Sequence, residues 1–126
     1  EVCKALADYV FLDCTSSLDD PLSVYGMAAA DKAVQLVTPD IRSAAYYASF
    51  EKTYEQIKSK SIGVINITDK DLYLPVGEVK AGFSNAKYIL PYSMYLKQQY
   101  ITGELTHKIP DQKFSAVCRG IAGAVL

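Results

Sequence analysis

The stretch SIGVINITD, residues 61–69, decides between an all-helical and a mixed fold, because the sequence on both sides of it reads as helix. Ile62, Val64 and Ile65 are strand-forming residues, and polar turn residues follow them. This pattern is typical of a short β-strand, but a single strand has no partner with which to pair. The sequence therefore predicts that residues 61–74 form an extended connector that lies across a helical bundle.

Amphipathic helical patterns flank this stretch. Over residues 39–59, aromatic residues gather on one side and charged residues on the other. Thr38 marks the start of this helix as a cap, followed by a proline and an acid in the first turn. Over residues 76–102, apolar residues recur at spacings of three and four, which predicts the longest helix. Pro91 lies within that pattern and predicts either a kink or two abutting helices.

Helices are also predicted towards both ends of the sequence. Residues 2–14 carry apolar and charged residues on opposite sides, as an amphipathic helix does. The next helix is expected over residues 21–37, because Asp19 or Asp20 offers a cap and a proline follows at the first helical position. A last helix is expected over about residues 111–125, and its glycines lower its intrinsic stability.

Together these patterns predict an all-α fold, an up-and-down four-helix bundle with an extended connector and a C-terminal helical tail. The length of 126 residues fits one domain, with the bundle over about residues 1–102 and the tail over about 103–126. The 13 basic and 14 acidic residues leave no excess of positive charge for nucleic acid. No apolar run approaches the roughly 20 residues of a membrane span.

Two features of the sequence bear on processing. The first residue is Glu1 rather than methionine, from which we expect either a removed targeting peptide or a fragment. Removal of a targeting peptide would fit a lumenal, periplasmic or secreted protein. Asn66-Ile67-Thr68 is a glycosylation sequon, which functions only along the secretory route. We expect Asn66 to be unmodified.

The three cysteines allow at most one internal disulfide. Cys3 and Cys14 would lie about 16 Å apart along one helix, whereas a disulfide needs Cα atoms within about 7 Å. These two can therefore pair only if the helix breaks between them. Otherwise Cys118 is the partner and ties the two ends of the chain together. Three reduced, buried thiols are the remaining alternative.

Charge is divided unevenly along the chain. Residues 1–40 contain seven acids and two bases, a net charge of −5, whereas residues 41–126 contain seven acids and eleven bases, a net charge of +4. Such asymmetry can orient a protein against a charged surface, and exposed tyrosines are favoured at interfaces. Solvated faces and half-buried boundary tyrosines are the alternative. The residues predicted to bind a partner are Lys58, Lys60, Lys80, Lys87, Tyr92, Tyr95 and Lys97.

The sequence lacks the motifs that indicate catalysis or a bound cofactor. It has no glycine loop that cradles phosphate, no Cys-x-x-Cys pair and no Gly-x-Ser-x-Gly turn. His107 is the single histidine, which excludes a histidine pair as a metal site. Asp69 and Asp71 match the start of a calcium loop, but its later ligands are missing. We therefore expect a non-catalytic protein without a cofactor or metal.

Residues 86–97, AKYILPYSMYLK, resemble the region of PsbQ-like proteins in which a Pro-Tyr pair precedes a helix of leucines, tyrosines and basic residues. The helical order of the whole chain is similar to that of the diatom-type members. PsbQ-like proteins are extrinsic subunits of photosystem II, held on the lumenal face of the chloroplast thylakoid membrane. Pro91, Tyr92 and Tyr95 are the positions that match.

The resemblance implies a four-helix bundle in the thylakoid lumen that is peripheral to the membrane and performs no chemistry itself. It would dock on membrane-intrinsic photosystem II subunits and on other extrinsic subunits. Its role would be to stabilise the oxygen-evolving centre and to help retain calcium and chloride there. Two alternatives stay open: a small helical carrier of an apolar ligand, and a linker protein of a pigment antenna.

Overall fold

The chain forms two compact units, Glu1–Asp31 and Lys32–Leu126. Each unit has its own local structure. The computed structural model describes residues 5–15, 18–71, 74–83, 85–104 and 109–126.

The N-terminal unit contains one described helix, α1, Pro21–Ala29. The Asp20 carboxylate caps it by accepting hydrogen bonds from the Ser23 backbone N–H (3.1 Å) and hydroxyl (2.6 Å). The helix therefore begins where the cap and the proline predict. Residues 7–15, which precede it, contain no helix or strand, and the aromatic rings of Tyr9 and Phe11 are exposed.

The larger unit alternates strands and helices along its sequence. Its elements are strand β1 (Ala33–Val37), helices α2 (Ile41–Ser49) and α3 (Glu51–Ile57), a 3₁₀ turn (Lys58–Lys60), strand β2 (Ser61–Asn66), helix α4 (Val76–Gly82), strand β3 (Ala86–Leu90), and helices α5 (Met94–Thr102) and α6 (Gln112–Val125).

The three strands form one parallel sheet in the order β1-β2-β3. Val37 lies opposite Ile65 in this sheet, and Ile65 lies opposite Ile89. Parallel neighbours need a crossover connection, which α2 and α3 provide between β1 and β2, and α4 provides between β2 and β3. The larger unit is thus a mixed α/β fold, and the predicted all-α four-helix bundle is wrong.

The error lies in the two outer strands. β1 falls inside the helix predicted over residues 21–37, and β3 falls inside the helix predicted over residues 76–102. The stretch 61–74, predicted to be a connector, supplies the central strand over Ser61–Asn66, which has a partner on each side. Pro91 follows β3 directly, where it ends the strand and kinks no helix.

The other helix predictions had mixed outcomes. The helix predicted over residues 39–59 is divided into α2 and α3, because the backbone at Phe50 leaves the helical conformation (φ −115°, ψ 17°). Residues 7–14 are not helical, and residues 2–4 of that predicted helix lie outside the described residues. The predicted tail helix is confirmed as α6, whose Asp111 carboxylate accepts a hydrogen bond from the Phe114 N–H at 3.0 Å.

The hydrophobic core lies between the sheet and the crossover helices. Val64 and Ile65 are neighbours in β2 that point to opposite faces of the sheet, and neither has exposed surface. β2 is therefore covered on both faces, as is typical of a central parallel strand. The ring of Phe83 stands edge-on to the ring of Tyr47 in α2, with 4.6 Å between the ring centroids. The main core cluster consists of Val37, Ile65, Val79 and Phe83.

Helix α6 packs against β3 through a glycine. The Tyr88 hydroxyl donates a hydrogen bond to the carbonyl oxygen of Gly120 at 3.0 Å. A Cβ atom at Gly120 would lie only 3.1 Å from ring carbon Cε1 of Tyr88. Glycine at this position therefore allows the helix to approach the ring closely. Phe114, which lies earlier in the same helix, is buried as well.

Gly63 marks an irregularity in the sheet, where the register between β2 and β3 shifts. Its N–H donates a hydrogen bond to the carbonyl oxygen of Asn85 at 2.9 Å. A Cβ atom at Gly63 would lie 2.6 Å from that same oxygen, closer than a side chain can come. The Asn85 amide also donates to the Ser61 carbonyl oxygen at 3.0 Å. The residue before β3 is thus held tightly against β2.

Of the three cysteines, Cys14 and Cys118 belong to the described residues, and both are free thiols. Neither of the two pairings considered from the sequence is present. Cys3 itself lies outside the described residues. Partial burial in α6 raises the pKa of the Cys118 thiol, which disfavours the reactive thiolate at neutral pH.

Candidate ligand-binding site

The carboxyl ends of the three parallel strands meet at one edge of the sheet. Thr38 follows β1, Asn66 is the last residue of β2, and Pro91 follows β3. The Ile67 N–H donates to the Leu90 carbonyl oxygen at 2.9 Å, which keeps β2 and β3 side by side to their ends. In open α/β sheets, ligands bind outside the carboxyl ends of the strands. A ligand-binding site is therefore expected at this edge.

The turn after β1 is occupied by a helix cap. The Asp40 carboxylate accepts a hydrogen bond from the Thr38 hydroxyl and another from the Ser43 backbone N–H, at 2.9 Å for the latter. The hydroxyls of Thr38 and Ser43 lie 2.6 Å apart. These hydrogen bonds, the one from Thr38 first, lower the pKa of Asp40. The carboxylate is thus ionised at neutral pH and serves to start α2 rather than to bind a ligand.

Replacing Asp40 by alanine is expected to lower the free energy of unfolding by about 1 kcal/mol, because α2 loses its cap. The folded-state pKa is below the ordinary value of about 4. The stabilisation is therefore complete above that value and is lost as the pH falls through the folded-state pKa. Urea unfolding of both proteins at neutral and acidic pH measures this, and the difference between them should shrink in acid.

Asp71→Ala is the matched control for the cap, because Asp71 is an exposed carboxylate in the segment after β2. It should leave the stability unchanged. A control variant as unstable as Asp40→Ala would show that the loss came from charge alone and not from the cap.

The end of β2 presents an amide. Asn66 is half-buried, and its side chain forms no hydrogen bond with the described residues. The exposed chain that follows contains Lys70, whose ammonium nitrogen lies 5.9 Å from the centroid of the Tyr92 ring. This distance is within the range of a cation–π interaction. Residues from the ends of β2 and β3 are thus brought together.

The end of β3 presents a ring and a hydroxyl. Tyr92 is half-buried, whereas the Ser93 hydroxyl is buried and has no hydrogen-bond partner of good geometry among the described residues. Asp111, the cap of α6, lies nearby. The Phe114 backbone N–H lowers the pKa of Asp111 most, and the Ser93 hydroxyl lowers it further, although the two side chains are not aligned for a hydrogen bond of good geometry.

We call Asn66, Lys70, Tyr92 and Ser93 the strand-end cluster. It offers an amide that donates and accepts, an aromatic face and a cation, and the Ser93 hydroxyl is buried beside them. Within the part of the chain that the structure describes, none of these groups is paired with a neighbouring base that would activate it as a nucleophile. Among the described residues, no group of three or more His, Cys, Asp or Glu side chains is placed to hold a metal ion.

The residues predicted to bind a partner do not lie on one surface. Lys58 and Lys60 immediately precede β2, at the amino edge of the sheet, whereas Tyr92 and Tyr95 follow β3 at the carboxyl edge. Lys58 forms an ion pair with Glu55 at 2.7 Å, and this hydrogen bond raises the pKa of Lys58. The remaining three predicted residues are exposed: Lys80 in α4, Lys87 in β3 and Lys97 in α5.

Sequence reasoning found Tyr92 but missed its neighbours in the strand-end cluster. Asn66 was considered only as a glycosylation site, and Lys70 was part of a presumed connector. The available signal was the change from an apolar run to residues 66–71, which are polar except for Ile67. Such a change is typical of a buried parallel strand followed by a loop at the carboxyl edge.

Comparisons with models of protein families, with curated proteins and with solved structures found no match to this chain. Among the helices of the described residues, none is both long enough and apolar enough to cross a membrane.

Proposed function

We propose that this chain binds a mononucleotide at the carboxyl edge of its parallel sheet. The observation that carries the proposal is the β-α-β-α-β order of parallel strands over residues 33–90. Two such units build the doubly wound dinucleotide-binding proteins, and each unit binds one nucleotide. Proteins that share an architecture bind different ligands, so the side chains at the edge decide which nucleotide is bound.

The strand-end cluster suits the base of a nucleotide. The Asn66 amide is not engaged by the described residues, and an asparagine amide pairs in bidentate fashion with adenine. Tyr92 offers a ring for stacking, and base–aromatic stacking contributes about 1–3 kcal/mol per base. Lys70 supplies a positive charge beside the ring. The phosphates would lie towards this lysine.

The turn between β1 and α2 does not suit phosphate. It contains no glycine loop, and the ionised Asp40 carboxylate caps the first turn of α2. A second anion at the same helix start would be repelled by that carboxylate. The orientation proposed here therefore places the base, rather than the phosphates, near the described strand ends.

Equilibrium dialysis with labelled ATP and GTP tests the proposal directly. The wild-type chain should bind at least one of them, and Tyr92→Ala should lower the affinity by about 5- to 150-fold through the loss of stacking. Asn66→Ala should reduce the preference between the two bases. Lys70→Ala should weaken nucleotide binding more at low salt than at high salt.

Matched controls come from the same chain. Tyr100→Ala removes a ring that is 90% exposed in α5, and Lys80→Ala removes an exposed lysine in α4. Neither should change the affinity. The proposal is wrong if the wild-type chain binds neither nucleotide, or if Tyr100→Ala weakens binding as much as Tyr92→Ala does.

The photosystem role stays a prediction from sequence, as do its partners and its location in the thylakoid lumen. Its structural basis was the four-helix bundle, and the parallel sheet removes that support. The apolar-ligand carrier and the antenna linker also stay predictions, as does the absence of catalysis. No described feature favours any of these over the nucleotide proposal.

A further inference from the structure

Strand β1 forms an open edge of the sheet. Among the described residues its only neighbour is β2, so the backbone groups on its outer side have no strand partner. Val34 is 43% exposed and Leu36 is 63% exposed, whereas Ile62 and Val64, opposite them in β2, are buried. Parallel sheets are normally covered on both faces, and an uncovered apolar edge is a template for another strand.

The sequence of β1, AVQLV, is nearly symmetric in chemistry about its centre. A two-fold axis through Gln35, perpendicular to the sheet, would pair this strand with itself in antiparallel fashion. Val34 would then lie opposite Leu36 of the second copy, and Leu36 opposite its Val34. Directly opposite residues share a face and come within about 4.5–5.5 Å, so the exposed apolar side chains would cover one another.

The backbone also fits this pairing. In an antiparallel ladder, opposite residues alternate between pairs that exchange two hydrogen bonds and pairs that exchange none. If the outward backbone N–H and C=O groups belong to Gln35, they form hydrogen bonds with Gln35 of the second copy. If they belong to Val34 and Leu36, Val34 of each copy forms hydrogen bonds with Leu36 of the other. In both cases the outward backbone groups of β1 gain partners.

Gln35 lies on the other face of β1 from Val34 and Leu36. Its side-chain nitrogen Nε2 is already buried within its own chain, so a second copy that pairs with the outer edge does not reach it. The pairing therefore rests on the exposed side chains and the backbone groups of β1.

We propose that the outer edge of β1 binds β1 of a second copy of this chain, antiparallel about Gln35, which makes one continuous sheet across the dimer. The occupant is a second copy because the exposed side chains of AVQLV, Val34 and Leu36, lie opposite each other when the strand pairs with itself about Gln35. The proposal does not depend on nucleotide binding.

Sedimentation velocity of the full 126-residue chain tests the dimer, with the mass as the readout. The wild-type chain should approach twice its 13.8 kDa as the concentration rises. The double variant Val34→Lys with Leu36→Lys places like charges opposite each other and should remain monomeric. The variant Val34→Lys with Leu36→Glu places each lysine opposite a glutamate of the other copy and should restore the dimer.

This pair of variants distinguishes the proposed register from association elsewhere, because both remove the same apolar side chains. Circular dichroism should show that both variants are folded, and Tyr100→Lys in the exposed helix α5 should leave the mass unchanged. Three results would overturn the proposal. They are a wild-type chain that stays monomeric, a double-lysine variant that still dimerises, and a lysine–glutamate variant that does not.

Discussion

Replacing Phe83 by alanine is expected to lower the free energy of unfolding by about 3–5 kcal/mol. The ring is 2% exposed and belongs to the main core cluster. It follows α4 directly and contacts Tyr47 of α2, so it joins both crossover connections to the sheet. A cavity at this point would loosen both connections at once, which places the expected loss at the upper part of the range.

Urea unfolding followed by far-ultraviolet circular dichroism measures this loss, since the chain has no tryptophan to report on the core. Phe83→Leu should cost clearly less, because leucine fills most of the space. Tyr100→Ala, which removes a ring exposed to 90%, is the control and should change the stability by less than about 0.5 kcal/mol. A loss below about 1 kcal/mol for Phe83→Ala would contradict the described core.

Replacing Gly63 by valine is expected to lower the free energy of unfolding by about 3 kcal/mol, at the upper end of the usual cost of overpacking. The added Cβ would lie 2.6 Å from the carbonyl oxygen of Asn85 and 2.8 Å from the backbone nitrogen of Ala86. Both atoms belong to the backbone, which cannot turn aside as a flexible side chain does. The start of β3 would have to move away from β2.

Gly77→Ala is the matched control for this effect. Gly77 lies in α4 with open space around the position of an added Cβ, so alanine there should be neutral or stabilise by up to about 1 kcal/mol. The two substitutions therefore have opposite expected signs in the same unfolding assay. Equal stability of the two variants would mean that β2 and β3 do not approach each other as described.

Local signals in the sequence predicted the starts of three helices to within two residues, although the cap of α2 is Asp40 and not the predicted Thr38. Asp20 before α1, Asp40 before α2 and Asp111 before α6 each accept a hydrogen bond from a backbone N–H within the first turn. A cap acts over three residues, so neighbouring sequence is enough to identify it. The lengths of the helices were predicted less well, because packing against the sheet decides where each one stops.

The sheet could not be predicted in the same way, because strand pairing joins residues that are far apart in sequence. β2 was visible as an apolar run, but its edge neighbours β1 and β3 were read as parts of longer helices. Because β2 then had no strand with which to pair, the sequence predicted a connector there instead of a strand. The strand-end cluster depends on this pairing, so it became visible only when the three strands were placed side by side.

The close packing of Gly120 on Tyr88 has a consequence for how this sequence can vary. Any side chain at position 120 would press on the ring, and any smaller residue at position 88 would leave the Gly120 carbonyl without its hydroxyl donor. The two positions are therefore coupled. In related chains, a bulkier residue at position 120 of α6 should be accompanied by a shorter one at position 88 of β3. Substitutions at the two positions should therefore be correlated.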